Sequence, residues 1–213
     1  MPRPRSLTNV DLATAALAVI DRDGLSALSM RTVAKELGMG TMSIYRYVED
    51  REQLEGLVVD KVIGEVDLTV SKRRSWKSRL VDVVERVRDA VAAHPEVVPL
   101  LLIHRHRSPA SLRWGEVVLG ILGDAGFEAE DRVIAFRCLL SYVIGALQVE
   151  QLGALSGEGT ASIARLPASE HPLLSETARH AMRISADDEF RRGLDVVLGG
   201  IAQLQATRDR GQR

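Results

Sequence analysis

The apolar residues of this chain recur every three or four positions almost throughout, and that period restricts the fold more than any other feature. Valine and isoleucine fall on helical faces rather than in the alternation of a strand. Glycine and proline punctuate the ends of the periodic stretches. An all-α protein is therefore expected. With 213 residues, 46% of them hydrophobic and 27% charged, there is material for a sizeable core and no compositional sign of disorder.

Capping signals set the expected helix starts. Thr8 with Asp11 three residues on is a capping-box arrangement, which predicts a helix over 10–22 with Leu12, Ala15, Ala16, Val19 and Ile20 as its stripe and Asp23-Gly24 as its stop. Ser29 caps a short helix over 30–37, stapled by Leu28 and Val33 and closed at Gly38. A third is expected at about 41–47. Asp50, with Gln53 three residues on, starts a fourth that carries Leu54, Leu57, Val58 and Val62. The stretch 69–75 is polar and basic, and Lys72, Arg73, Arg74, Lys77 and Arg79 put five positive charges in eight positions. It reads as the joint between a domain over 1–70 and another over 71–213. A solvated linker is its plain role and a secondary DNA contact the alternative.

Beyond the joint the helices lengthen. One over 76–93 places Trp76, Leu80, Val83, Val84, Val87 and Val91 on one face, and another over 112–125 ends at Gly126. A helix over 131–154 is apolar on more than one face and must be covered on several sides. The stretch 153–171, rich in Gly, Ser and Ala, is expected to be a mobile loop. A last helix over 187–205 carries Phe190, Leu194, Val197, Leu198, Ile201 and Leu204, with Gly193, Gly199 and Gly200 to admit a partner helix. The longest charge-free stretch of this half, 138–149, is shorter than the ~20 residues a bilayer needs. The first residues lack the apolar core of a signal peptide, so a cytoplasmic protein without a membrane partner is expected.

The stretch 29–54 is the informative one: helix, glycine turn, helix, with Val33, Ala34, Leu37 and Ile44 facing inward. This is the layout of a helix-turn-helix, whose second helix enters the major groove. Spacing alone would equally suit a helical hairpin with no DNA role. The chemistry decides between them: from Met39 to Val48 there is no acidic residue, although the chain holds 29. A phosphate backbone requires such a surface, and net charge −1 over the whole chain means that any DNA footprint is local. The exposed side of the second helix offers Thr41, Ser43, Arg46 and Tyr47 as hydrogen-bond donors, and Tyr45 shares a face with Thr41. Arg31 and Arg51 lie in the first turns of their helices, where a cation opposes the helix dipole and a nearby phosphate would explain it. Arg3 and Arg5 lie in a tail that either reaches the DNA or is an ordinary disordered terminus.

These residues resemble the DNA-binding domain of the TetR family of bacterial transcriptional repressors. The likeness rests on Leu25-Ser26-Ala27-Leu28-Ser29-Met30-Arg31 and Val33-Ala34-Lys35-Glu36-Leu37-Gly38-Met39, then on Ser43-Ile44-Tyr45-Arg46-Tyr47-Val48, Asp50-Arg51 and Leu54. It spans about 8–62. Arg51 stands where the family usually has lysine. The resemblance implies a three-helix DNA-binding domain in which Arg31, Thr41, Ser43, Tyr45, Arg46, Tyr47 and Arg51 line double-stranded DNA. It further implies a homodimer on a palindromic operator, released from it by a small molecule bound in a C-terminal helical domain. The C-terminal part resembles the tetracycline-repressor-like branch through Trp76, the Asp124-Ala125-Gly126-Phe127 corner and the long helix after it. The magnesium–antibiotic site does not carry over, because Asp67, Val83 and Val87 stand at its polar and aromatic positions. A largely apolar effector is the better expectation, met by Val83, Val87, Leu101, Val118, Phe136 and Leu139, with His104, Trp114 and Gln148 to orient it.

Other constellations carry less. His104-Arg105-His106-Arg107 has two histidines that cannot face each other on a helix and no carboxylate nearby in sequence, so a solvated or pocket-lining role is expected rather than a metal. His94, before Pro95 at an expected helix end, suits the dipole there. Cys138, the single cysteine, excludes an intramolecular disulfide and reads as an inert core thiol. Gly157-Glu158-Gly159 follows a helix rather than a strand and is no dinucleotide fingerprint. No HExxH, GxSxG or P-loop pattern occurs. No enzyme activity, cofactor or metal is expected. The competing reading is an all-α small-molecule-binding or catalytic protein with an incidental helix-turn-helix, and the acid-free second helix argues against it.

Overall fold

The computed structural model describes residues 7–153, 155 and 157–211. Arg3 and Arg5 lie outside them. Every element among the described residues is helical, as the period requires. The chain divides into two compact units, 1–121 and 122–213.

The first unit opens with α1, Asn9–Asp23. The Thr8 side chain accepts from Asp11 N at 3.2 Å and Asp11 accepts from Thr8 N at 2.9 Å, which completes the capping box. Leu12, Ala16, Val19 and Ile20 are fully buried, and α1 packs along α4, Arg51–Gly64. Between them lie α2, Met30–Glu36, and α3, Thr41–Ile44. Then come α5, Trp76–Ala92; α6, Val98–His104; and α7, Pro109–Asp124, within which the division between the units falls. α5 buries Leu80, Val83, Val84, Val87 and Val91, the face read from its period. Helix α7 starts three residues earlier than expected. Ser108 accepts from Ser111 N at 3.0 Å as its cap and Pro109 fills the first turn, where its missing N–H is no loss. The expected joint at residue 70 lies inside this unit. There Asp67 accepts from Thr69 N and Oγ1, and Arg86 of α5 donates to Asp67 O and Thr69 O at 2.7 Å. Those bonds, the Thr69 backbone first, hold the Asp67 carboxyl below its usual range.

The second unit holds α8, Ala129–Leu152; α9, Glu158–Ala164; α10, Pro172–Ala181; and α11, Ala186–Gly211. The expected loop over 153–171 is corrected here: α9 forms inside it and packs on α10. Seven residues with a glycine among them have little intrinsic helicity, so packing on a neighbour outweighs propensity. Residues 154 and 156 of that loop lie outside the described ones. α8 contributes Ala135, Leu139, Val143 and Leu147 to the core, and α11 contributes Phe190, Leu194, Leu198 and Ile201. Long and apolar enough by length and composition to cross a bilayer, α8 still leaves Val133, Ile134 and Val149 more than half or half exposed. Cys138 is exposed on α8, which corrects its reading as a core thiol. Val133, Ile134 and Val149 face outward on this helix beside charged residues, so the apolar period alone does not mark Cys138 as outward.

Gly193, expected to admit a partner helix, is used within the chain. The Tyr142 ring lies 5.7 Å from that of Phe190, and its hydroxyl donates to Phe190 O at 2.6 Å. A Cβ built at Gly193 would overlap the Tyr142 hydroxyl and stand 2.9 Å from two of its ring carbons. Gly193→Ala is therefore expected to destabilise the chain by about 1–3 kcal/mol, the usual result of overpacking. Chemical denaturation would measure it, whereas Gly199→Ala, with nothing within 4 Å of the new atom, should not destabilise.

Candidate nucleic-acid interface

The head is built by two closures. Ser29 accepts from Thr32 N at 3.1 Å while Thr32 Oγ1 accepts from Ser29 N at 2.9 Å, and Leu28 and Val33 are fully buried on either side of the cap. At the other end of α2, Gly38 takes a φ of +65°, Met39 N donates to Ala34 O at 2.9 Å and Gly38 N to Lys35 O at 3.1 Å. This left-handed turn satisfies the last carbonyls of α2 and sets the direction of α3. Arg22 of α1, its guanidinium held above its usual pKa by Asp23 and then Glu36, ties α1 to α2 through Glu36 at 3.0 Å.

Regular helix in α3 is shorter than the 41–47 read from the sequence. It ends at Ile44, and the chain tightens through Arg46 N to Ser43 O and Tyr47 N to Ile44 O. Ile44 and Val48 are buried and anchor this segment. On its outer side Tyr45 and Arg46 are exposed, and Thr41, Ser43 and Tyr47 are half-buried. Met42, at 79% exposed, stands among them and was not among the expected contacts. A lone methionine between two hydroxyl residues carries no signal of its own. Arg31 is exposed in the first turn of α2.

Arg51 corrects one step of the sequence reading. Its position against the helix dipole does not need an external anion, because Nε donates to Glu55 Oε1 at 2.7 Å and Nη2 to Leu25 O at 3.3 Å. The carboxylate four residues on stands in for the anion.

Glu55 belongs to a row of acids along α4 that meets the turn between α6 and α7. Glu52 Oε2 accepts from Arg107 at 2.9 Å, Glu55 Oε2 lies 2.8 Å from His104 Nε2, and Asp60 Oδ1 accepts from Ser108 Oγ at 3.0 Å and from Ala110 N at 2.7 Å. That turn passes close to Gly56 and Gly64, where an added Cβ would stand at ordinary contact distance, 3.9 Å, from the Cβ atoms of Arg107 and Ala110. His104 is thus a buried partner of a carboxylate 49 residues upstream, while His106 is exposed. His94 likewise finds a carboxylate, Asp21 of α1 at 2.9 Å, rather than a helix end alone.

Of the nine residues expected to meet an effector, six lie in the first unit and three in the second. Val83, Val87, Leu101 and Val118 are buried, and Trp114 donates from Nε1 to Val83 O at 3.3 Å. In the second unit Leu139 is buried, and Phe136 and Gln148 are half-buried. A crevice of about 310 Å³ opens between α8 and α11, lined by Tyr142, Val149, Glu150, Glu189 and Phe190 among others, and none of these was expected to line a site.

The acid row sets a test of stability. Asp60→Ala leaves the Ser108 hydroxyl and the Ala110 N–H without their acceptor, an expected loss of about 1–3 kcal/mol. Urea denaturation of the two chains measures it.

The chain matches two family models: "Bacterial regulatory proteins, tetR family" over residues 12–54 and "Tetracyclin repressor-like, C-terminal domain" over residues 71–205. It is 30% identical to an HTH-type transcriptional regulator of Saccharopolyspora erythraea, covering 92% of this chain and 85% of that one. It is also 30% identical to the HTH-type transcriptional repressor DrrR1 of Streptomyces coeruleorubidus, covering 97% and 81%. Among solved structures, it is similar to ActR of Streptomyces coelicolor in complex with (S)-DNPA, with a TM-score of 0.83, 24% identity, and coverage of 94% and 99%.

Proposed function

The chain belongs to the TetR family of bacterial transcriptional regulators, and from that premise we propose that it is a cytoplasmic homodimeric repressor that leaves a palindromic operator when a largely apolar small molecule binds. It is a regulator rather than an enzyme. Residues 1–70 read DNA in this proposal, and residues 71–213 bind the effector and dimerise.

The observation that carries the reading is the outer surface of α3 and the turn after it. There Thr41, Ser43, Tyr45, Arg46 and Tyr47 stand in an acid-free stretch, and Arg31 and Arg51 are exposed in the first turns of α2 and α4. Helix N-termini and arginines suit phosphate, and hydroxyls, tyrosines and Arg46 suit base edges. Arg51→Ala is expected to weaken binding about equally for all sequences and to lower the salt slope by about 1. Arg46→Ala should relax preference at one or two base pairs. Gel-shift titrations at several salt concentrations measure both, and unchanged binding by both variants would refute the assignment.

The dimer is supported by apolar surface that the second unit leaves uncovered: Val133, Ile134 and Val149 on α8 and Val196 on α11. A second copy placed on it by a two-fold axis would bury that surface in a four-helix bundle. An interface above ~1,200 Å² is expected. Sedimentation at micromolar concentration should give a dimer, and a monomer would contradict it.

The proposed release by a ligand has two supports among the relatives: DrrR1 is named a repressor and the ActR structure holds (S)-DNPA. Val83, Val87, Leu101, Trp114, Val118, Phe136, Leu139 and Gln148 remain the candidate contacts of the effector in this chain. His104 is the candidate whose Nε2 is already engaged, by Glu55.

A further inference from the structure

Glu55 stands between two partners on opposite sides. Its Oε1 accepts from Arg51 Nε at 2.7 Å, and its Oε2 lies 2.8 Å from His104 Nε2. The Glu55 side chain is 12% exposed and that of His104 2%. The other ring nitrogen, His104 Nδ1, is buried without a hydrogen-bond partner. A carboxylate oxygen can only accept, so His104 Nε2 is the donor of the bond to Glu55. The carboxylate is held in place by that bond, with its other oxygen turned to Arg51.

Arg51 has five N–H groups, and two of them are engaged, one by Glu55 and one by Leu25 O. A guanidinium fixed at two points keeps three donors for another acceptor and has less freedom to lose when it meets one. We infer that Glu55 is a positioning residue for operator binding: gripped by His104 of α6, it holds the Arg51 guanidinium in the orientation that meets a DNA phosphate. The inference rests on the proposed role of Arg51 as a phosphate contact. It makes a hydrogen bond in the interior of the first unit a determinant of affinity at the DNA surface, so that a shift of α6 reaches the DNA through one carboxylate.

The test is a set of double-mutant cycles on the full chain. The probe is a duplex carrying the inverted repeat that the wild-type chain selects from random sequence, and binding is followed by fluorescence anisotropy. His104→Leu, His104→Gln and Glu55→Gln are each made with Arg51 present and with Arg51→Ala. Arg51→Ala alone should weaken binding about ten-fold. With Arg51 present, His104→Leu should cost about five-fold and Glu55→Gln about three-fold, because a neutral acceptor grips the guanidinium less firmly. In the Arg51→Ala chain both should cost less than about two-fold. His104→Gln, whose amide still donates to Glu55, should recover most of the affinity. Thermal melting checks that each variant folds, and if His104→Leu does not, the Glu55→Gln cycle decides. Equal losses with and without Arg51 would overturn the inference, since a merely structural role acts alike in both. Tighter binding by Glu55→Gln would also overturn it, because Glu55 would then withhold Arg51 from DNA. Wild-type affinity in Arg51→Ala alone would refute the phosphate contact itself, and the positioning role with it.

Discussion

Three carboxylates on one helix hold the first unit together where it matters most. Glu52, Glu55 and Asp60 of α4 meet Arg107, His104, and Ser108 with the Ala110 N–H, all from the end of α6 to the start of α7. The contacts differ in weight. Glu52 and Arg107 are both about half exposed or more, and such a pair contributes roughly 0–1 kcal/mol. Glu55 with His104 and Asp60 with its two donors lie deeper, and removing one partner there strands the other. Because α4 is the continuation of the reading head, this seam fixes the head against α6 and α7 through bonds that have direction, whereas the apolar packing of α1 on α4 alone would permit sliding.

Much of this was legible in the sequence where the signal is local. Thr8 with Asp11, Ser29 with its Leu28 and Val33 staple, Asp50 with Gln53 and the turn glycines Gly38 and Gly126 give helix ends within a residue or two. The acid-free stretch from Met39 to Val48 made the head recognisable as a DNA reader, because charge depletion needs no knowledge of the fold. What was not legible depends on residues far apart in the chain. Nothing near His104 in sequence announces Glu55, and nothing near Arg51 shows that an internal carboxylate answers its charge. The same holds for α9, whose weak helicity is overruled by its contact with α10, and for Cys138, on a helix that turns apolar residues outward as well as inward.

The proposed switch asks little of this architecture. A coupling of ~1–3 kcal/mol between effector and operator lowers DNA affinity 5–150-fold, and by reciprocity DNA lowers effector affinity by the same factor. A seam with two part-buried directional contacts is of the right strength to have two arrangements separated by that much, since re-pairing one buried hydrogen bond changes the free energy by about 1–3 kcal/mol. The seam is therefore the physical seat this proposal gives to the difference between the two states, and in the proposed two-fold dimer its effect on the spacing of the heads would be doubled.

The most direct measurement is selection of DNA by the wild-type chain from a random duplex pool, followed by affinity titration of the enriched sequence against salt. An inverted repeat should be enriched, with half-sites about one helical turn or a multiple of it apart, and its log affinity should fall linearly with log salt. A pool in which no sequence is enriched, or binding without salt dependence, would contradict the role of this chain as a dimeric reader of DNA.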